Sequence, residues 1–246
     1  MRKGLIIILS FFGGCLYAQD VFNRPQPPTS FTEDLRAIDF IQRNVLSQIR
    51  TSGPNAIEND EIMGSAYLED QFKAGTVFYN DTRIGDYLLR YNVYGEEFEV
   101  LNDDTTKSAV NKTSEVHVTV GIKNYVFKYF TDDDEKSRFG YFEVLSDAGN
   151  SHCTLLRKNK KLLSESRRAV TSFDVTRPAR FVDTETYYLL FDDKEIVKIR
   201  LQNSYISRFF KKRGIDVKTF LKENDLNVKN VEDLKKVIHH CDSLLQ

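Results

Sequence analysis

Between Gly75 and Leu201 the apolar residues of this 246-residue chain recur at every second position in short runs, and the runs are separated by clusters of Asn, Asp and Gly. A repeat of two is the repeat of an extended strand, whose side chains point alternately to opposite faces. The spacing predicts strands over 76–79, 87–94, 97–101, 116–120, 125–130, 139–145, 153–157, 187–191 and 196–201. The connections Asn80-Asp81, Asn102-Asp103-Asp104, Asp132-Asp133-Asp134, residues 147–150 and Asp192-Asp193 hold the residue types that tolerate tight hairpin turns. Sequential antiparallel pairing, a β-meander, is the simplest topology for such a run.

The faces of these strands differ. Val116, Val118 and Val120 alternate with His117 and Thr119, and Val197, Ile199 and Leu201 alternate with Lys198 and Arg200, so each of these strands has one wet face. Residues 125–130 and 187–191 are apolar on both faces and require cover on each side, as in a sandwich or a partly closed barrel. Helical spacing flanks the strands, so the expected class is α+β. Ser30-Phe31-Thr32-Glu33 matches a capping box, and Leu35, Ile38, Ile41, Val45 and Ile49 follow until Gly53-Pro54, which predicts a helix over 31–50. After Leu201 the helical repeat returns in three pieces, with Phe209-Phe210 in the first, Asp216 capping the second and Asn230 capping the third. Val231, Leu234, Val237 or Ile238, Cys241 and Leu245 form one apolar stripe, so residues 203–246 are expected to pack on the domain formed by residues 31–202.

The first 18 residues read as a secretory signal peptide: Arg2 and Lys3 precede an apolar run from Leu5 to Phe12, then Gly13 and Gly14. Cleavage after Ala18 fits the small residue that the peptidase needs. A cut before Cys15, within Phe12-Gly13-Gly14-Cys15, would instead make Cys15 the site of a lipid anchor. Either route predicts an exported protein, periplasmic or associated with the outer membrane. Residues 19–30, with Pro25, Pro27 and Pro28, read as an extended linker. No later stretch reaches the roughly twenty apolar residues of a membrane-spanning helix. Of the 35 Lys and Arg, removal of Arg2 and Lys3 leaves 33 against 36 Asp and Glu, a formal charge of −3. Such a balance argues against a nucleic-acid partner, which calls for a basic excess. Cys153 and Cys241 survive either cut, and in an oxidising compartment they could form a disulfide or simply fill apolar space.

Motifs for chemistry are few. His152-Cys153 and His239-His240-Cys241 suggest a zinc site only superficially, because neighbours on a strand face apart and Cys241 already belongs to the apolar stripe. Asp132-Asp133-Asp134-Glu135 opens like a calcium loop, but Lys136 and Ser137 stand at the fifth and sixth positions, where a ligand and a glycine belong. Arg157, Lys158, Lys160, Lys161, Arg167 and Arg168 form a basic run and residues 208–213 a second one; both read as solvated faces that could meet an anionic partner if they converge. Glu97 and Glu99 share one strand face and could do acid–base work. There is no nucleophile elbow, phosphate loop or metalloprotease helix, so no catalytic, cofactor-binding or metal-binding residue is assigned. The 12 Tyr and 18 Phe come without any Trp, the most usual platform for stacking sugars.

Gly64-Ser65-Ala66-Tyr67-Leu68, then Phe72, Gly75 and Leu89-Arg90-Tyr91-Asn92-Val93-Tyr94, together with residues 220–245, resemble a pattern in uncharacterised exported proteins of Bacteroidetes-type bacteria. Those proteins usually carry proline where Ala66 stands. The resemblance spans residues 60–246 and implies an envelope location and a shared fold, with no active-site residue to carry over. The functional expectation is a non-enzymatic module that binds an envelope protein or ligand; the alternative is a periplasmic hydrolase with a dispersed carboxylate site.

Overall fold

The computed structural model describes residues 45–48, 62–102, 106–132, 134–146, 151–167 and 174–245. The expected signal peptide, linker and most of the helix over 31–50 lie outside the described residues. Within that last span, Leu46–Gln48 form a strand rather than a helical turn. Backbone pairing with the sheet edge decides their conformation here, against the helical spacing of the surrounding apolar residues.

The strands are β1 Leu46–Gln48, β2 Lys73–Tyr79, β3 Thr82–Asn92, β4 Glu97–Leu101, β5 Lys107–Val110, β6 Val116–Val120, β7 Lys123–Thr131, β8 Ser137–Val144, β9 Cys153–Ser164, β10 Arg180–Phe191 and β11 Glu195–Ile199. They form one open antiparallel sheet in the order β1-β5-β4-β3-β2-β6-β7-β8-β9-β10-β11. The mostly antiparallel meander and the α+β class stand, with two differences from sequential pairing. β6 lies beside β2 instead of β5, and the far edge of β5 takes β1. Four inter-strand spacings of about 4.8 Å separate β5 from β6 in a flat sheet, roughly 19 Å. Residues 111–115 would reach that far only if nearly extended. The first seven strands instead curl, so that Val77, Val110 and Val116 share one buried cluster with Tyr91, Phe98 and Tyr125.

Hairpin chemistry works as the turn residues require. Asn80 and Asp81 have φ of 45° and 62°, and Asp192 and Asp193 have φ of 46° and 54°. Two consecutive left-handed residues define the turn whose twist matches that of its strands. At the β6–β7 connection Gly121, with φ of 60°, opens an equally tight turn, since Val120 still pairs with Lys123.

Alternation sorts the later strands between two cores. Cys153 and Leu155 of β9 and Tyr187, Leu189 and Phe191 of β10 face the helices. Leu156, Tyr188 and Leu190 face the other way, onto Phe130 and Phe142. This two-sided cover is what the doubly apolar run at 187–191 demanded. Helices α1 Asn203–Lys211, α2 Val217–Glu223 and α3 Val231–Ser243 supply one of the two sides. Asp216 and Asn230 cap α2 and α3 as expected, accepting from the backbone N–H of Lys218 and Glu232 at 3.0 and 2.8 Å. Leu234, Val237, Ile238 and Cys241 of the stripe are fully buried.

Among the described residues no helix is long and apolar enough to cross a membrane.

Candidate functional site

Residues 62–72 contain little regular structure, yet they are tied down at both ends. Met63 exchanges backbone hydrogen bonds with the start of β10, through Ala179 O and Phe181 N at 2.9 Å each. Further on, Leu68 N donates to Tyr91 O at 3.0 Å, and Ala66 O accepts from Tyr94 N at 3.1 Å. This segment therefore ties the start of β10 to the end of β3.

Arg90 fixes it there. Its guanidinium lies over the rings of Tyr67 and Phe72, 3.6 and 4.4 Å from their centroids, donates to Asp70 O at 3.1 Å and forms a 2.6 Å ion pair with Glu99. Tyr67 Oη donates to the second Glu99 oxygen at 3.0 Å. Arginine suits this role because its flat, weakly hydrated cation stacks on rings while its edge donates in several directions. Among the described residues Arg90 Nε is buried without a hydrogen-bond partner.

Where this segment, β3 and the β6–β7 turn meet there is a pocket of about 340 Å³. Its floor is aromatic. Tyr91 stacks on Phe98 at 4.6 Å between centroids, and Tyr125 meets Phe98 nearly edge-on at 5.1 Å. Leu68, Leu89, Val120 and Ile122 supply apolar walls, and Ile122, at the tip of the turn, is 98% exposed. The charged lining is Glu69, Lys73, Lys123 and Arg90. Glu69 pairs with Lys73 and lies 3.9 Å from Lys123, so one carboxylate serves two ammonium groups. The hydrogen bond from Lys73 holds Glu69 below the usual carboxylate range. Burial pushes the Tyr125 hydroxyl well above the ordinary tyrosine range, so the floor is uncharged at physiological pH.

A second polar feature supports that floor. The β8–β9 ladder registers only at Glu143–Arg157 and Val144–Leu156. Towards the start of β8 the strands part, and the carboxylate of Glu96 fills the gap. It accepts from Tyr141 N at 3.1 Å, Tyr91 Oη at 3.0 Å and Lys158 Nζ at 2.5 Å. A carboxylate here takes the place of the missing strand partner, since a buried N–H left unpaired is costly. Desolvation holds Lys158 below the usual lysine range even with Glu96 beside it. Gly140 makes room: a Cβ there would run into Lys158 Nζ and come within 2.7 Å of Glu96 Oε2.

Strand β9 thus pairs half of the basic run that looked solvated. Arg157 pairs with Glu143 at 2.8 Å, Lys158 with Glu96, and Lys161 with Asp183 at 2.8 Å. In the second cluster Arg213 stacks over Phe191 and Phe209. Arg157, Lys158 and Lys161 of the first run and Arg213 of the second are thus engaged locally. Of the suggested acid–base pair, Glu99 is held by Arg90 and Glu97 lies 3.7 Å from Lys112. His152 pairs with Asp192 at 2.7 Å and His240 stacks on Phe220 at 3.8 Å between centroids. Among the described residues no three His, Cys, Asp or Glu gather closely enough to hold a metal ion. At the acidic hairpin Arg138 pairs with Asp132 and Asp134, at 2.9 Å each.

Cys153 and Cys241 are free thiols, both buried in the core between sheet and helices. The Cys153 N–H donates to Asp242 Oδ1 at 2.7 Å, which brings the start of β9 against the end of α3. Burial pushes the Cys153 thiol up to about 12 and raises Cys241 as well, from an ordinary value of 9.0. A raised folded-state pKa contributes stability that is complete below the unfolded thiol's value and is lost as pH rises past it. One unit above 9.0, each thiol should therefore cost about 1.4 kcal/mol. Denaturant unfolding of the wild type should weaken between pH 8 and pH 10 by roughly 2–3 kcal/mol more than that of Cys153→Ala/Cys241→Ala. Parallel pH profiles would mean that the folded protein carries no titratable thiols, as a disulfide would have it.

No protein-family model, curated protein or solved structure matches this chain. Leu68, Leu89, Arg90 and Tyr91 of the pocket fall within the run on which the resemblance rests, but nothing in the sequence marked them as a site. The contribution of the β6–β7 turn was missed. Its one signal is Ile122, an apolar residue directly after a turn glycine.

Proposed function

We propose that this chain is an exported cell-envelope protein that binds a ligand without transforming it, and that the pocket above the Tyr91, Phe98 and Tyr125 rings is where it does so. The export reading rests on the basic head and apolar run of residues 1–18. The curl of the first seven strands is read as a partly closed barrel, with the pocket at its mouth. The observation that carries the binding reading is a concave, mainly apolar site of about 340 Å³ that opens onto the aromatic floor beside the exposed Ile122. Ligand sites are typically clefts of a few hundred Å³ with apolar walls and a few placed polar groups. The hydrolase alternative has less support, because Glu96, Glu99 and Glu143 are each engaged by a cation.

The test uses N-phenyl-1-naphthylamine, an uncharged apolar fluorophore. It should bind saturably at one site, and Leu68→Ser should weaken it about tenfold, since losing one large apolar wall costs about 1–2 kcal/mol. Binding that is absent, or that is unchanged in Leu68→Ser while circular dichroism stays native, would overturn the reading.

A further inference from the structure

Resting on that reading, we infer that the occupant is a single-chain anionic amphiphile, with its apolar chain over the Tyr91, Phe98 and Tyr125 floor and its acidic head among Lys73, Lys123 and Arg90. Two observations converge on this chemistry. The walls and floor are apolar, so a chain gains by leaving water. Around the pocket three cations, Lys73, Lys123 and Arg90, face two carboxylates, Glu69 and Glu99, which leaves one positive charge unmatched.

Size narrows the class. At roughly 30 Å³ per non-hydrogen atom, the share of one water in the liquid, the 340 Å³ pocket holds about eleven atoms, the size of a medium-chain carboxylic acid. Glu69 occupies the position between the lysines that the ligand's head would share. The carboxylate is therefore an internal competitor, and its charge sets how strongly the rim prefers an anion.

Calorimetric titration of the full folded protein with decanoate, decan-1-ol and decylamine tests this directly. Decanoate should bind roughly three- to tenfold more tightly than the alcohol, the range expected for a partly screened charge, and the amine should bind most weakly. Lys73→Gln/Lys123→Gln should erase most of that preference, bringing decanoate close to decan-1-ol. Glu69→Gln should strengthen decanoate about threefold. Equal affinity for all three compounds, or a preference that survives the double lysine variant and ignores Glu69→Gln, overturns the anionic assignment while the pocket reading stands. If none of the three binds, the pocket reading fails as well. Co-sedimentation with phosphatidylglycerol vesicles separates free amphiphile from bilayer: vesicle capture without decanoate binding would also overturn the proposal, and decanoate binding without capture supports it.

Discussion

Glu96→Ala is expected to lower the unfolding free energy by about 3 kcal/mol, the low end of what breaking a buried ion pair costs. The low end applies because the Glu96 side chain keeps 22% of its exposure, whereas that of Lys158 keeps 9%. Removing the carboxylate strands the Lys158 ammonium against the rings of Phe130 and Phe142, and removes the acceptor for Tyr141 N–H and Tyr91 O–H. Two further variants separate this from backbone strain. Glu96 has φ of 51°, a conformation that glycine takes freely, so Glu96→Gly should relieve strain and yet remain about as destabilised as the alanine variant. Glu96→Gln/Lys158→Met, which removes both charges and keeps the shape, should return to within about 1 kcal/mol of wild type, because an ion pair replaced as a unit costs little.

The pH dependence has a definite sign. A lysine whose folded-state pKa is depressed opposes folding while it is charged, and that penalty is relieved as pH rises through the folded value towards the ordinary 10.5. Without Glu96 the depression deepens, so the gap between variant and wild type should narrow on the alkaline side. A gap below about 0.5 kcal/mol in denaturant unfolding, the size of an ordinary surface change, would show that Glu96 does not bridge the parted strands. Since Tyr91 belongs both to this network and to the pocket floor, Glu96→Ala should also weaken ligand binding.

What the sequence made visible follows from how far apart the cooperating residues are. Asn80-Asp81 and Asp192-Asp193 specify their turns through their own backbone preferences, and Asp216 and Asn230 cap helices two residues away. Local chemistry of that kind is readable directly. The α3 stripe is nearly as local, because a helical repeat announces its buried face. β5 escaped notice because Lys107-Ser108-Ala109-Val110 is too short to display alternation, and β1 because its residues sit within helical spacing. The placement of β6 beside β2 depends on curling of the sheet, which no run of residues encodes alone. Lys158 was hidden in a different way: among five other basic residues it looked solvated, and only the pairing of Glu96, 62 positions earlier, makes its burial tolerable.

Gly75→Ala should be the most damaging of the glycine substitutions in the first half of the sheet, at about 3 kcal/mol, the upper end of ordinary overpacking. β2 lies between β3 and β6, with Gly75 paired to Tyr87 on one side and Val120 on the other. A Cβ at this position would collide with the backbone oxygen of Thr119 and approach Leu89 Cδ1 at 2.8 Å. The Leu89 side chain can turn aside; the Thr119 carbonyl is held in a ladder and cannot. Other glycines provide the contrast. At Gly85 the nearest atoms belong to the movable Tyr87 ring, at 3.1–3.2 Å, so alanine there should cost under about 1 kcal/mol. At Gly121 nothing lies within 4 Å, but φ is 60°, so alanine should cost only the roughly 1–2 kcal/mol of a left-handed residue. Chemical denaturation of the three variants should therefore rank Gly75 above Gly121 and Gly121 above Gly85. Because Leu89 and Val120 both line the pocket, Gly75→Ala should also loosen ligand binding in the protein that remains folded. A Gly75→Ala variant as stable as Gly85→Ala would mean that β2 and β6 do not approach this closely, and the pocket wall built on their contact would have to be redrawn.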